Sequence, residues 1–347
     1  MNKIKIAVIG CGSIAKYRHL PEYAVNETVE IVAVCDVVEE RAEKMAELYG
    51  GQVYTNYEEI IARNDIDAVS VCLPNYLHAR VSIAALKSGK HVLCEKPMAT
   101  SKQEAEDMIQ SAKEANKKLM IAHNQRFVAS HQAAKEILDS GKLGKIYSFR
   151  TAFGHPGPEG WSVDGKESWF FNKEQAFIGA LGDLGVHKSD LLRYLFGEFA
   201  AVSAFVETNA KDSSDVDDNA VVILRTESGI IGTLAASWAY VTGGDNSTVI
   251  YGEKGILRLE DDPKYSLIEN YQDGRIIKHQ LDKIQTNEEG GQTSSQVIDH
   301  FIHAIIEDID PLITGEEGKK SLDIILGALE SERTKKTISL IKEESIQ

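Results

Sequence analysis

The chain has 347 residues, 43% of them hydrophobic and 26% charged, with 38 Lys and Arg against 53 Asp and Glu for a net charge of -15. This length exceeds the roughly 250 to 300 residues beyond which one core usually splits, so two domains are expected. The acidic balance argues against non-specific binding to nucleic acid or to an anionic membrane surface, both of which need Lys and Arg, and favours a small-molecule partner.

In chain order, the first apolar run, KIKIAVIG, passes straight into a glycine-rich turn, unlike the apolar region of a secretory signal. No stretch approaches the ~18 apolar residues of a membrane span, so a cytoplasmic protein is expected. VEIVAVCD, DAVSVCLP, KHVLCEKP and KLMIAHN follow as short β-branched runs, near-continuously apolar as in parallel strands covered on both faces. Between the runs lie helical segments: residues 13–25, VEERAEKMAELYG, NYLHARVSIAALKSG and SKQEAEDMIQSAKEANK. Gly50 and Gly89 stand where helix C-termini favour a residue tolerant of positive φ. This βαβ series predicts an α/β, doubly wound Rossmann sheet over residues 1–124.

From 125 onward the rhythm changes. A helix, ASHQAAKEILDSG, leads to the strand GKIYSFRTAF, then to an irregular Gly-, Pro- and Trp-rich stretch at 154–178 and a helix at about 180–196. Alternating runs follow (AVSAFVET, DDNAVVILRT, GIIGTLAASWAY, STVIYGEKGILRLE, YSLIENY, GRIIKHQL), with turns suited to hairpins. Two amphipathic helices, near 292–308 and 316–334, close the chain. Residues 125–347 therefore read as an α+β domain with a mostly antiparallel sheet. The four cysteines, Cys11, Cys35, Cys72 and Cys94, form no C-x-x-C pair and sit at strand ends, where a small buried apolar side chain fits.

GCGSIA, residues 10–15, joins the first strand to the first helix. Gly10 allows a tight turn, Gly12 lets a pyrophosphate approach the backbone, and Ala15 lets helix and strand pack. Ser13 and Ile14, at the helix start, offer amides and a positive dipole end to phosphates. Asp36 ends the second strand, where a carboxylate accepts hydrogen bonds from the adenosine ribose and repels a 2'-phosphate. NAD is therefore expected in preference to NADP. No Arg or Ser directly follows Asp36, although Arg41 lies one helical turn further on. The alternative for Asp36 is a simple helix cap.

DIDAVSVCLPNYLHA (65–79), GKHVLCEKPMAT, HNQRF (123–127), GALGDLGVHKSDLLRYLFG (179–197) and PLITGEEGKKSLDIILGALES (311–331) together resemble the glucose-fructose oxidoreductase / inositol 2-dehydrogenase (Gfo/Idh/MocA) family over nearly the whole chain. The resemblance implies a Rossmann domain, an open-faced second sheet used for substrate and oligomer contacts, and hydride transfer at a sugar or cyclitol carbon. It implies that Pro74, Asn75 and His78 line the nicotinamide side and that Glu95 and Lys96 stand at its reactive end, often with a cis bond before Pro97. Arg126 matches a position involved with cofactor or substrate, and Asp183 and His187 match the catalytic pair. Gln125 departs from the family, which usually has arginine there, and this puts substrate contacts in question more than chemistry.

Four residues apart on a predicted helix, Asp183 and His187 share one face, so the carboxylate can orient an imidazole acting as general base. Lys96, at a strand end, can hydrogen-bond the reacting oxygen. A helix-surface pair and a metal-ligand pair are the alternatives; a metal would need further ligands such as His155 or Asp190, and none is expected. Asp190 more readily anchors the helix. His155, Trp161, Trp169 and Tyr240 are candidate substrate walls or core anchors. The leading function is an NAD-dependent oxidoreductase on a sugar, sugar derivative or inositol. A hydrolase using transient oxidation and a non-catalytic NAD sensor are the alternatives, and a homodimer or homotetramer is expected.

Overall fold

The computed structural model describes residues 3–281 and 294–341. Its first sheet is parallel and contains β1 (Ile4–Ile9), β2 (Val29–Cys35), β3 (Gln52–Tyr54), β4 (Ala68–Val71), β5 (His91–Cys94) and β6 (Leu119–Ile121), in the order β3-β2-β1-β4-β5-β6. The order reverses between β1 and β4, so the crevice outside their carboxyl ends is where such a sheet receives a ligand. Helices α1 (Leu20–Val25), α2 (Glu39–Tyr49), α3 (Tyr57–Ala62), α4 (Asn75–Lys87) and α5 (Lys102–Ala115) cover its faces. All four residues of β4 are fully buried, which explains why its sequence carries no polar alternation.

Two elements depart from expectation. Strand β3 is only three residues long and half-exposed, too short and too mixed for a period to show, and short α3 follows it. The helix expected over 13–25 is interrupted after Ser13 and Ile14 by a π-helical turn, Ala15–His19, before α1 takes over with Pro21 in its first turn. A π-turn admits an extra residue into the ladder and re-aims the side chains around it. Here it sends His19 inward to Ser70 and Glu95.

The second sheet follows α6 (Ala129–Asp139). It comprises β7 (Ile146–Gly154), β8 (Phe199–Glu207), β9 (Asn219–Thr226), β10 (Ile231–Ser237), β11 (Thr248–Gly252), β12 (Gly255–Leu259), β13 (Leu267–Tyr271), β14 (Ile276–His279) and β15 (Ile338–Ser339), ordered β14-β13-β12-β11-β7-β10-β9-β8-β15. All neighbours are antiparallel except β7 and β10. Between β7 and β8 lie α7 (Lys173–Ala176) and α8 (Val186–Phe196). Along β9, Ala220, Val222 and Leu224 face the core while Val221 and Ile223 face outward, the period-two signature of a sheet covered on one side.

Helices α9 (Val297–Ile306) and α10 (Gly315–Thr334) tie the two sheets together. Residues 292–293 of the expected α9 lie outside the described residues. Ile298, Phe301, Ile302 and Leu322 enter the core of the first sheet, whereas Ile324, Ile325 and Ala328 enter that of the second. The Ile121 amide also donates to the Ile313 carbonyl at 3.0 Å. No helix among the described residues is long and apolar enough to cross a membrane.

Candidate active site

At the end of β1 the backbone turns at Gly10 with φ of 97°, and a Cβ there would lie 2.1 Å from the Cys72 carbonyl oxygen. Only glycine fits so tight a return. At Gly12 a Cβ would meet nothing within 4 Å, so the start of the helix borders open space. Gly12, Ser13 and Ile14 line one end of a cavity of about 400 Å³ running between the two sheets. Beyond it, Asp36 at the tip of β2 accepts the Cys11 amide at 2.9 Å and the Val38 amide at 2.9 Å, which fixes both carboxylate oxygens while leaving lone pairs outward.

The other end of the cavity is built around Lys96, which follows β5 with a cis peptide bond to Pro97. Its Nζ donates to the Asp183 Oδ1 at 2.8 Å and to the Asp183 main-chain oxygen at 3.0 Å. An ammonium has three donors, so one remains for a cavity occupant. Trp238, fully buried, donates from Nε1 to the second Asp183 oxygen at 3.3 Å.

The expected Asp183–His187 pairing is not made. Asp183 lies in a second π-turn, Leu181–Gly185, ahead of α8, and its carboxylate is committed to Lys96 and Trp238. The Lys96 ammonium brings a full opposite charge to that carboxylate, which the neutral His187 ring does not. Burial pushes the His187 pKa well below 6.5, and the positive charges of Lys96, His123 and Lys188 add to the effect. Its Nδ1 is buried without a partner, while the ring lines the cavity against Phe153, at 5.8 Å between centroids.

The π-turn is held from a distance by Asp217. Its carboxylate oxygens each accept 2.7 Å bonds, from the Gly179 and Leu181 amides, and burial raises its pKa to about 6. A Cβ on Gly179 would lie 1.8 Å from the Asp217 carbonyl oxygen, so the glycine is a condition of the turn.

Comparison with known proteins decides the family. Residues 4–123 match the oxidoreductase family with an NAD-binding Rossmann fold, and residues 131–258 match the GFO/IDH/MocA C-terminal domain. Levoglucosan dehydrogenase of Pseudarthrobacter phenanthrenivorans is 31% identical over 269 residues, 68% of each chain. The chain belongs to the GFO/IDH/MocA oxidoreductase family. Myo-inositol 2-dehydrogenase of Thermotoga maritima is 28% identical over 97% of this chain and 98% of its own. The structure of a levoglucosan dehydrogenase in complex with NADH and levoglucosan superposes with a TM-score of 0.85 and 26% identity, covering 98% of this chain and all of that one.

As a GFO/IDH/MocA enzyme the chain uses NAD. The open space at Gly12 and the outward lone pairs of Asp36 fit a pyrophosphate and an adenosine ribose. Cys11, Cys35, Cys72 and Cys94 are buried free thiols, and burial first, with nearby acidic groups, pushes those of Cys11 and Cys35 up to about 12. No three His, Cys, Asp or Glu side chains group as a metal site among the described residues.

The remaining predicted residues of this GFO/IDH/MocA chain divide. Asn75, His78, Glu95 and His155 line the cavity together with Lys96, Asp183 and His187. Asn75 donates to the Ala176 carbonyl at 2.8 Å and His78 bonds the Leu73 and Pro97 carbonyls, so both also position the loops around them. His155 Nδ1 accepts the Gly157 amide at 2.9 Å, which leaves the other ring nitrogen as the donor. Burial holds its pKa down, with Asp183 opposing. Trp161 and Trp169 are also in the lining, in an edge and face stack with Phe170.

Besides Gly10 and Asp36, three predicted residues stand outside the lining. Pro74 caps the start of α4 between Leu73 and Asn75, which do line it. Tyr240 covers Gly154, where a Cβ would lie 2.2 Å from its ring. Arg126 is buried with its guanidinium held by Asp190 and Glu317, so its role is an internal ion pair and not a cavity contact.

Sequence reasoning missed His19, Trp238 and Asp217. His19 bonds Glu95 at 3.0 Å and Ser70 at 3.1 Å. Burial alone would raise the Glu95 pKa, but the His19 bond and charge, with Lys96 and His78, hold it below its ordinary value. The signal for His19 is faint: a single histidine four residues past Ala15 in the helix expected over 13–25.

Proposed function

We propose that the chain interconverts a hydroxyl-bearing carbon and its carbonyl on a sugar, a sugar derivative or an inositol, with NAD as hydride acceptor or donor. One observation carries this reading: a Lys96 ammonium with a spare donor and a neutral His187 border the same cavity whose far end is the glycine turn. Polyol chemistry is what the related levoglucosan and inositol dehydrogenases bear in their names. The nicotinamide, when bound, supplies or takes the hydride at the reacting carbon.

Every other task falls to side chains. Lys96 donates to the reacting oxygen and stabilises the alkoxide as it develops, and Asp183 keeps that ammonium in place. His187 takes the hydroxyl proton or returns it. His155, Trp161 and Trp169 form the wall against which the sugar ring lies, and Asp36, Ser13 and Ile14 hold the cofactor with Asn75, His78 and Glu95 around its reactive end.

Because His187 is depressed, its neutral form is present above a pKa lying below 6.5 and is lost as the pH falls through that value. The acid limb of kcat/KM is therefore expected below pH 6.5. His187→Asn is expected to lower kcat by about 10²-fold or more and to remove that limb. An asparagine variant with the wild-type limb and turnover identifies another base.

The substrate class is tested by a spectrophotometric panel of inositols, aldoses, amino sugars and sugar nucleotides with NAD and NADP. Reduction of NAD by members of the polyol set is expected; no reduction with any of them, accompanied by release of sugar from a glycoside, overturns the reading.

Residues 1–124 are proposed to serve the nucleotide and 125–347 the substrate and subunit contacts, with α9 and α10 joining them, in a cytoplasmic homodimer or homotetramer. The outer face of the second sheet supports the subunit proposal: Phe205, Val221, Ile223 and Ile231 are 69%, 47%, 54% and 49% exposed on adjacent strands. Sedimentation at equilibrium checks it, and a monomer at all concentrations refutes it.

A further inference from the structure

The irregular stretch after β7 does more than wall the substrate end. It crosses to the nucleotide domain and, besides the Asn75 bond to Ala176, touches it at two points on the nucleotide side of the cavity. The Ser13 hydroxyl, in the glycine turn, donates to the Trp161 carbonyl at 2.8 Å, and the Arg41 guanidinium forms an ion pair with the Asp164 carboxylate. Arg41 is in the first turn of α2, five residues past Asp36, and its charge is felt at Cys11 beside the glycine turn. It is thus the cation closest in sequence to the ribose-binding carboxylate.

The stretch that delivers Asp164 is itself well anchored. Ser162 and Ser168 hydroxyls meet at 2.8 Å, the Glu167 amide donates to the Asp164 carbonyl at 3.0 Å, and Lys211 binds both Glu159 and the Pro156 carbonyl. Below it Trp161 packs edge-on to Phe170, which is stacked on Trp169 at 3.8 Å. Asp164 is therefore presented to Arg41 by a supported loop, not by a wandering side chain.

A guanidinium beside the adenosine ribose is the group that would accept a 2'-phosphate, because its planar donor fork matches the phosphate oxygens. Here one arm of that fork, Nη2, is already on the Asp164 carboxylate. We propose that Asp164, on the substrate domain, is a cofactor-selectivity residue: by holding Arg41 it denies the guanidinium to a 2'-phosphate, so that the preference for NAD over NADP is set by Asp36 and Asp164 acting together. Asp36 repels the phosphate from its own strand end. Asp164 removes the cation that would have compensated. The proposal deepens the assignment of NAD and rests on it. It also gives a chain with an arginine one turn past Asp36 a way to select the unphosphorylated nucleotide.

The test is a binding titration of the full chain with NADH and with NADPH, read by nucleotide fluorescence and independent of any substrate. The wild type is expected to bind NADH more tightly than NADPH. Asp164→Asn keeps the shape of the side chain and removes its charge, and it is expected to tighten NADPH by about tenfold while NADH stays within about threefold, the scale of one charge-assisted contact. Arg41→Ala in the Asp164→Asn background is expected to erase that gain. An unchanged ratio of NADPH to NADH affinity in Asp164→Asn overturns the proposal, as does a gain that survives without Arg41. A wild type that binds neither nucleotide sinks the cofactor assignment itself, and that result is read before either variant is compared.

Discussion

Lys96→Met is expected to lower kcat by about 10² to 10³-fold, roughly 3 to 4 kcal/mol of transition-state stabilisation, with a far smaller change in NADH affinity. The side chain is of similar length, so the loss is chemical and not steric. Two of the ammonium donors are spent on Asp183 and the third is available to the reacting oxygen. Without the cation, the Asp183 carboxylate also remains in the cavity wall with only the Trp238 indole to offset it, and it then repels the alkoxide it formerly helped to stabilise. Lys96→Arg does not restore activity, because a longer planar fork holding the Asp183 carboxylate does not put its remaining donors where the third donor of a compact ammonium stands. Steady-state turnover on the substrate found in the panel, alongside an NADH titration, checks this. Turnover within about threefold of wild type, with NADH bound normally, removes Lys96 from the mechanism.

The largest loss of stability is expected from Asp190→Ala, about 3 kcal/mol, because it removes the fully buried partner of Arg126 and leaves the more exposed Glu317 alone to balance that cation. Asp190 is fully buried and takes both forks of Arg126, at 2.8 and 2.7 Å, and the Ser321 hydroxyl at 2.9 Å. Arg193 reaches the same Ser321 at 3.0 Å, and Glu317 binds Arg126 at 2.9 Å. The cluster joins α8, α10 and the turn after β6, so its loss loosens the contact between the two sheets' cores. In urea the midpoint is expected to fall with little change in slope, which marks lost stability and not a changed unfolded state.

The pH dependence of that effect has a definite sign. Burial alone would raise the Asp190 carboxyl, but the charges of His123 and Arg126 and the bonds from Arg126 and Ser321 hold it below its ordinary value of 3.8. A depressed carboxylate stabilises the folded chain above that ordinary value, and the contribution is lost as the pH falls towards the folded value. The difference between wild type and Asp190→Ala is therefore expected to narrow as the pH is taken below about 3.8. A gap that stays constant through that range assigns the loss to packing alone.

Much of the fold was legible because its signals are local. The β-branched runs around Val8, Val34, Val69 and Val92 mark strands buried on both faces, and the alternation through Val221, Val222 and Ile223 marks a sheet with one bare side. Gly10 and Gly12 announce their turn by spacing, and the family resemblance drew Lys96, Asp183 and His187 into one site. What failed to show were the exceptions to regular periods: the three-residue β3 and the two π-turns at Ala15–His19 and Leu181–Gly185. A π-turn has no period of its own in a helix this short, and both instances carry residues that line the cavity.

By itself, then, the sequence determined the two sheets, the glycine turn with Asp36 at the tip of the second strand, and the residue types around Lys96. Only the tertiary structure decided which charges meet. Asp183 serves Lys96, 87 positions away, and not its helix neighbour His187. Arg126 serves Asp190, 64 positions away, and not the cavity, and Arg41 meets Asp164 across 123 positions. Backbone periods follow from contacts a few residues apart, which spacing records. Buried charges instead settle on whichever partner folding brings within hydrogen-bonding reach, because an unpaired one costs several kcal/mol, on the order of the whole margin of stability.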